Sequence, residues 1–355
     1  MKLGIDFYSL HSQEWNVFQY LDYCYERELD VLHIQTRVSP EWDVFTSLSD
    51  DNLKKVKDRA EELGLALELG MCSISPTSGT FSRQGTCSAE PGASPEENKQ
   101  VAVAQLRQQM RVAHYLGSPS LRVFLGSRQD RRTEEPFEAH VASMIDVLRT
   151  VRDEALELGV KIAVENHAGD FPAPELKALV EEAGPEFVGV CLDSGGSLQF
   201  AAESPFVTLE YLAPYIVTSH IRDAVVWTQP KGCAIQHVSM GEGTIGIDEW
   251  TRLFVEKCPT ATYCLENLTG MPPMMLDYLD PAFWADYPKT LAKDFVDLLR
   301  LERIGKPYAG PMMMAGRGGG QPAEFRAAMV AQEVYDLDRS IKYCREVLGL
   351  GERGR

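Results

Sequence analysis

The chain has 355 residues, a formal charge of −17 and an apolar content of 44%. That length suits one large α/β domain with an appendage, or two domains. The acidic balance opposes a protein whose affinity comes from neutralising phosphates, and no stretch of about 18 uncharged apolar residues exists to span a membrane.

The opening MKLGIDFYSL goes straight into a strand pattern and lacks the basic segment and long apolar core of a signal peptide, so the cytoplasm is the expected location. LGIDFYSL (3–10) reads as a first strand, residues 14–28 as a helix and LDVLHIQ (29–35) as a second strand. DDNLKKVKDRAEELG follows as a helix with early acids, later bases and a terminal glycine. LALELGMC (65–72) is the third strand, and the polar stretch 73–94 is expected to form a lid or substrate-binding loop on the active face.

Helices over about 95–116 and 136–158 alternate with strands at 120–126 and 160–166, and further strands fall at 188–193, 216–220 and 262–266. The pair Leu-Gly ends a helix before a strand at Leu63-Gly64, Leu116-Gly117 and Leu158-Gly159, because glycine takes the left-handed conformation that turns the chain out of a helix. Eight strand–helix units predict an α/β fold, a (β/α)8 TIM barrel over residues 1–305 with its last helix near 287–303. Residues 306–355 are expected to form a flexible connector and a C-terminal helix over about 322–348, docked on the barrel or on a partner chain. The eight cysteines show no CxxC spacing, so reduced structural thiols are expected.

Four strand-like runs end on a group able to bind metal or carry a proton: Glu165 in KIAVENH, Asp193 in VGVCLDSGG, His220 in IVTSHIRD and Glu266 in ATYCLENL. In a parallel barrel all four gather at one face, where three carboxylates and an imidazole repel unless a divalent cation lies between them. A lone strand-end Asp or Glu would more simply cap the next helix; four in register favour the metal site. Mixed oxygen and imidazole ligation favours manganese, cobalt, iron or zinc over calcium.

Through VENH (164–167), LDSGG (192–196), SHIRDA (219–224), GEGTIGIDEW (241–250) and LEN (265–267), the chain resembles the xylose-isomerase-like barrel superfamily. Within it, the resemblance is to the sugar (phosphate) isomerase/epimerase group, over residues 3 to about 301. The resemblance implies that Glu165, Asp193, His220 and Glu266 are the metal ligands, with manganese first and magnesium, cobalt, iron or zinc as alternatives. It also implies a sugar or polyol isomerase or epimerase that removes a proton next to a carbonyl through a metal-bound enediolate, with Glu165 and Glu266 as the acid–base pair.

Ketose epimerases often carry a histidine three residues after the strand-six Asp, where this chain has Gly196. His167, two residues after Glu165, is a candidate proton carrier, or a structural histidine holding a loop carbonyl. Arg222 and His237 are candidate substrate ligands, the former also able to form a surface pair with Asp223; His33 and Glu68 are expected to line the pocket. Trp15, Trp42 and Trp227 could stack on a sugar, ordinary packing being the simpler reading.

A related reaction, β-elimination from 3-keto-glycosides as in C-glycoside-deglycosidases, shares the first proton abstraction. An apurinic-endonuclease-like repair enzyme would need more strand-end histidines than the seven histidines of the chain provide, and a less acidic surface. A non-enzymatic binding barrel would be expected to lose ligands. The expected partner is therefore a small, unphosphorylated carbohydrate, not nucleic acid or membrane. The resemblance further implies a homo-oligomer, with a small partner subunit as an alternative.

Overall fold

The computed structural model describes residues 1–35, 51–74, 93–312, 314 and 322–353. Most of the polar stretch expected as a lid, Trp42 and the glycine run of the connector lie outside these residues. Strands β1 (Leu3–Asp6), β2 (Val31–Gln35), β3 (Ala66–Ser73), β4 (Ser120–Phe124), β5 (Lys161–Glu165), β6 (Val188–Asp193) and β7 (Ile216–His220) pair in chain order. The eighth barrel strand, β10 (Tyr263–Leu265), pairs with β1, and all these pairings are parallel. The ring is closed toward β7 through Ile221, whose N–H donates to Cys264 O at 2.7 Å and whose carbonyl accepts from Glu266 N–H at 3.0 Å. The architecture is the TIM barrel expected from the alternating pattern.

Helices surround the strands. α1 (Val17–Glu26) starts on Asn16 in a capping box, and α3 (Pro95–Leu116) starts on Ser94 in another. α3 and α5 (Arg152–Leu158) end on Gly117 and Gly159 at φ 76° and 64°, the left-handed turn that the Leu-Gly pairs predict.

Two features depart from the sequence reading. Just after His220 the chain makes an antiparallel hairpin, β8 (Asp223–Gln229) and β9 (Gly232–Val238), joined by the short β11 (Met274–Leu276). The hairpin has its own small apolar cluster of Val225, Trp227, Ala234 and Val238, packed by Tyr308 and Met312. Trp227 is therefore a packing residue, as is Trp15 against Tyr20 and Tyr23.

The helix expected to end the barrel, α11 (Ala292–Ile304), packs instead on α8 (Pro205–Leu212) and the hairpin. The flank between α1 and α9 (Ile247–Lys257) is filled by α12 (Ala323–Glu346). Its Asp338 accepts from Tyr23 Oη at 2.6 Å and from Arg27 Nε at 3.0 Å, and its Tyr343 donates to Asp248 of α9 at 2.5 Å. Glu333 meets Ser12 N–H and His11 beyond the C-terminal end of β1, whereas Glu352 and Arg353 donate to Asp30 just before β2. The helix thus runs from the C-terminal face of the barrel back to the opposite face, on the path of a closing eighth helix. Among the described residues no helix is long and apolar enough to cross a membrane, and Cys24, Cys191, Cys233, Cys258, Cys264 and Cys344 are free and buried.

Candidate metal centre and active site

The C-terminal ends of β5, β6, β7 and β10 deliver Glu165, Asp193, His220 and Glu266 to one place, each 5% exposed or less. Glu165, Asp193 and Glu266 each offer an oxygen such that all three lie within 4.8 Å of one another. His220 turns Nδ1 toward this group, 2.9 Å from Glu165 Oε1 and 3.8 Å from Glu266 Oε2. Its Nε2 faces the barrel interior, 3.2 Å from His33 Nδ1 and 3.6 Å from Asp6 Oδ2.

Two buried guanidinium groups share the site. Arg122, on β4, donates from Nε to Glu165 Oε2 at 2.5 Å and packs its cation over the Phe124 ring. Arg222 donates from Nε to Glu266 Oε2 at 2.9 Å, and its Nη2 lies 2.9 Å from Asp193 Oδ2 without hydrogen-bond alignment. The alternative of a surface pair between Arg222 and Asp223 is not realised, both residues being buried. Asp223 is buried and accepts from the main-chain N–H groups of Ala224, Gly241 and Gly243, fixing the turn after the hairpin.

Burial would raise the Glu165 carboxyl, but Arg122 and His220 outweigh it and hold the group well below the usual carboxylate range. Asp193 and Asp6 go the other way, pushed up to about 7 chiefly by burial and only partly relieved by Arg222 and His220 respectively. Burial opposes a charge on His220 as well, yet Cys191, Glu165 and Asp6 raise it well above its ordinary value, while burial and His220 hold His33 neutral.

The donor set fits a divalent cation. Asp193 Oδ2 is fully buried and has no hydrogen-bond partner among the described residues, a cost that a cation removes. Three carboxylates and one imidazole nitrogen are an ordinary ligand set for such an ion.

The remaining expected site residues are distributed around this centre. His167 Nδ1 donates to Gly126 O at 2.8 Å, which fixes the ring beside Phe124, the two rings tilted by 32°. His33 is buried with Nδ1 3.2 Å from His220 Nε2, and Glu68 accepts from the Thr218 and Thr262 hydroxyls, one layer below His220. His237 sits on β9, 4% exposed, with burial and then Arg222 lowering its pKa to about 3.

Sequence reasoning missed Arg122 and Asp6. Both had a signal: a charged residue at an inward-facing strand position in LRVF, and an acid ending strand one in LGID. Asn166 was also overlooked. It ties β5 to β6 by donating to Asp193 O at 2.7 Å and accepting from Asp193 N–H at 2.8 Å.

The model of the family described as xylose isomerase-like TIM barrel matches residues 23–266, and the chain belongs to that family. The uncharacterised protein YihM of Escherichia coli (strain K12) is 26% identical over 111 residues, 30% of this chain and 33% of that protein. The match thus spans about a third of that curated relative's length. Among solved structures, D-psicose 3-epimerase with D-tagatose from Clostridium cellulolyticum H10 superposes with a TM-score of 0.59 at 17% identity, covering 85% of this chain and 98% of that one. The IolI protein with a binding zinc atom gives a TM-score of 0.56 at 17% identity over 85% and 96% of the two chains. At such identities the likeness is one of fold.

Proposed function

We propose that the chain is a divalent-metal-dependent sugar or polyol isomerase or epimerase that removes a proton next to a carbonyl. The observation that carries this reading is the convergence of Glu165, Asp193 and Glu266, with oxygens within 4.8 Å of one another and His220 Nδ1 beside them, at the end of a barrel where such enzymes act. These four residues would hold the cation, manganese being the first candidate. A divalent ion there supplies Lewis acidity to a carbonyl oxygen and so acidifies the neighbouring C–H.

The protein supplies proton transfer and positioning. Glu165 and Glu266 come from β5 and β10, three places apart around the ring, so they approach a bound substrate from different directions. One takes the proton and the other returns it, to the same carbon with inverted configuration or to its neighbour. Arg122 and Arg222 fix the orientation of these two carboxylates, each by a guanidinium that is itself buried. His167 stands two residues beyond Glu165 as an additional proton carrier, its ring orientation set by Gly126 O. The small carbohydrate substrate is taken to be unphosphorylated: the densest basic run, Arg128, Arg131 and Arg132, is engaged by Asp286 and Glu175.

The test is hydrogen exchange in D2O across a panel of ketoses and 3-keto-glucosides, read by NMR on metal-loaded protein. Deuterium entering a free sugar supports the isomerase/epimerase reading and identifies the acidified carbon. Release of an aglycone instead assigns the lyase reaction, and no exchange with any member of the panel contradicts the proposal.

A further inference from the structure

Ser340, on α12, is fully buried, and its hydroxyl is used to capacity. Oγ accepts from Asn267 Nδ2 at 2.9 Å and from Met240 N–H at 3.0 Å. It donates to Asp336 O, one turn earlier on the same helix, at 2.8 Å. A serine hydroxyl has one donor and two acceptor positions, so all three are filled. A group held from three directions ties together the segments it touches.

Both partners outside the helix lead to the metal centre. Asn267 directly follows Glu266, and its N–H donates to Ser9 Oγ at 2.9 Å, which in turn donates to Leu265 O at 3.2 Å. The two neighbours of Glu266 are thus anchored on the β1 loop, and the Asn267 side chain adds a tie to α12. Met240 leads to Gly241 and Gly243, whose N–H groups hold Asp223 at 2.9 and 3.0 Å. Asp223 follows Arg222, and Arg222 donates from Nε to Glu266 Oε2 at 2.9 Å.

The path from Glu266 through Ser340 and Asp223 to Arg222 therefore closes on Glu266 itself. The Tyr343 ring of α12 occupies the place where a Cβ at Gly241 would stand, and this glycine, at φ 84°, lets the helix close on the loop. Ser340 lies well beyond residues 23–266, the part of the chain that the family model matches.

We infer that Ser340 is a positioning residue of the metal centre, setting Glu266 and its partner Arg222 through Asn267 and Met240. The role rests on the proposed cation site. Without the hydroxyl, Asn267 Nδ2 and Met240 N–H lose their acceptor in a buried place, which is costly. Both segments then shift to find another, and Glu266 loses its fixed approach to the cation.

The experiment titrates manganese(II) into the full chain and reads the free ion by electron paramagnetic resonance. Ser340→Ala is expected to bind the ion about five- to tenfold more weakly than the parent. Threonine can make the same bond to the carbonyl four residues earlier in a helix, so Ser340→Thr is expected to recover most of the affinity. Leu337→Ala loosens the packing of the same helix but makes none of these hydrogen bonds. It is expected to bind manganese as the parent does, although its urea midpoint falls. Should Ser340→Ala not fold, Asn267→Ala cuts the same link from the other side and is expected to weaken binding by a similar factor. Unchanged affinity in Ser340→Ala, or an equal loss in Leu337→Ala, overturns the positioning role and leaves the cation site standing. A parent that binds no manganese overturns both.

Discussion

Arg122 and Glu165 form an ion pair inside the barrel, Nε to Oε2 at 2.5 Å, with Arg122 3% exposed and Glu165 fully buried. The pair joins β4 to the end of β5 and commits one oxygen of a candidate ligand, the other being held by His220 Nδ1. Such a pair is expensive to desolvate, so its presence at the site is a matter of orientation more than of stability.

Breaking that pair from one side leaves a charge buried without its partner. Arg122→Met is expected to lower unfolding free energy by about 3–5 kcal/mol, whereas the double variant Arg122→Met with Glu165→Leu recovers most of the loss. Urea denaturation of the two variants beside the parent checks this. Equal losses in both would show that the guanidinium acts through packing on Phe124 rather than through Glu165.

α12 is expected to behave as part of the barrel wall. Its own Leu337, Ile341 and Cys344 are buried, while Phe325 near its start is 51% exposed. Leu337→Ala should cost about 2–5 kcal/mol by leaving a cavity, and Phe325→Ala should fall within about 0.5 kcal/mol of the parent. Denaturant midpoints measure both.

A pH dependence is expected from Glu203, which is not one of the four candidate ligands. Burial pushes its carboxyl up to about 7, although it accepts from Ala173 N–H at 3.1 Å at the start of α6 (Ala173–Ala183) and from the Thr208 hydroxyl at 2.9 Å. A carboxyl whose pKa is raised on folding contributes stability that is fully present below its unfolded value of about 4.3 and is lost as pH rises through about 7. Glu203→Gln, neutral throughout, should therefore gain on the parent between pH 5 and 8, by up to about 3 kcal/mol. Stability curves at a series of pH values read the slope. A difference independent of pH would contradict the assignment.

Much of this was legible in the sequence where the signal is local. The Leu-Gly pairs end α3 and α5 as expected because a left-handed cap needs only one residue. The four strand-end groups meet because strand polarity and barrel closure fix which end they occupy. The hairpin at 223–238 was missed because both of its faces are covered, one by Tyr308 and Met312, so its strands lack the polar alternation that marks a half-exposed strand. The position of α12 was beyond local reading, since its contacts with Tyr23, Arg27 and Asp248 span long sequence separations. Arg122 went unremarked among the pocket residues because its pairing with Glu165 depends on which way two neighbouring strands turn their side chains.

The central claim is that four strand ends make one cation site, and metal content tests it most directly. Protein loaded separately with manganese, cobalt and zinc, then dialysed, is assayed by elemental analysis beside Asp193→Asn and His220→Asn variants whose circular dichroism matches the parent. The account predicts about one divalent ion per parent chain and at least tenfold weaker retention in each variant. A parent that retains no divalent ion under any loading condition, or variants that retain it as well as the parent, would contradict it.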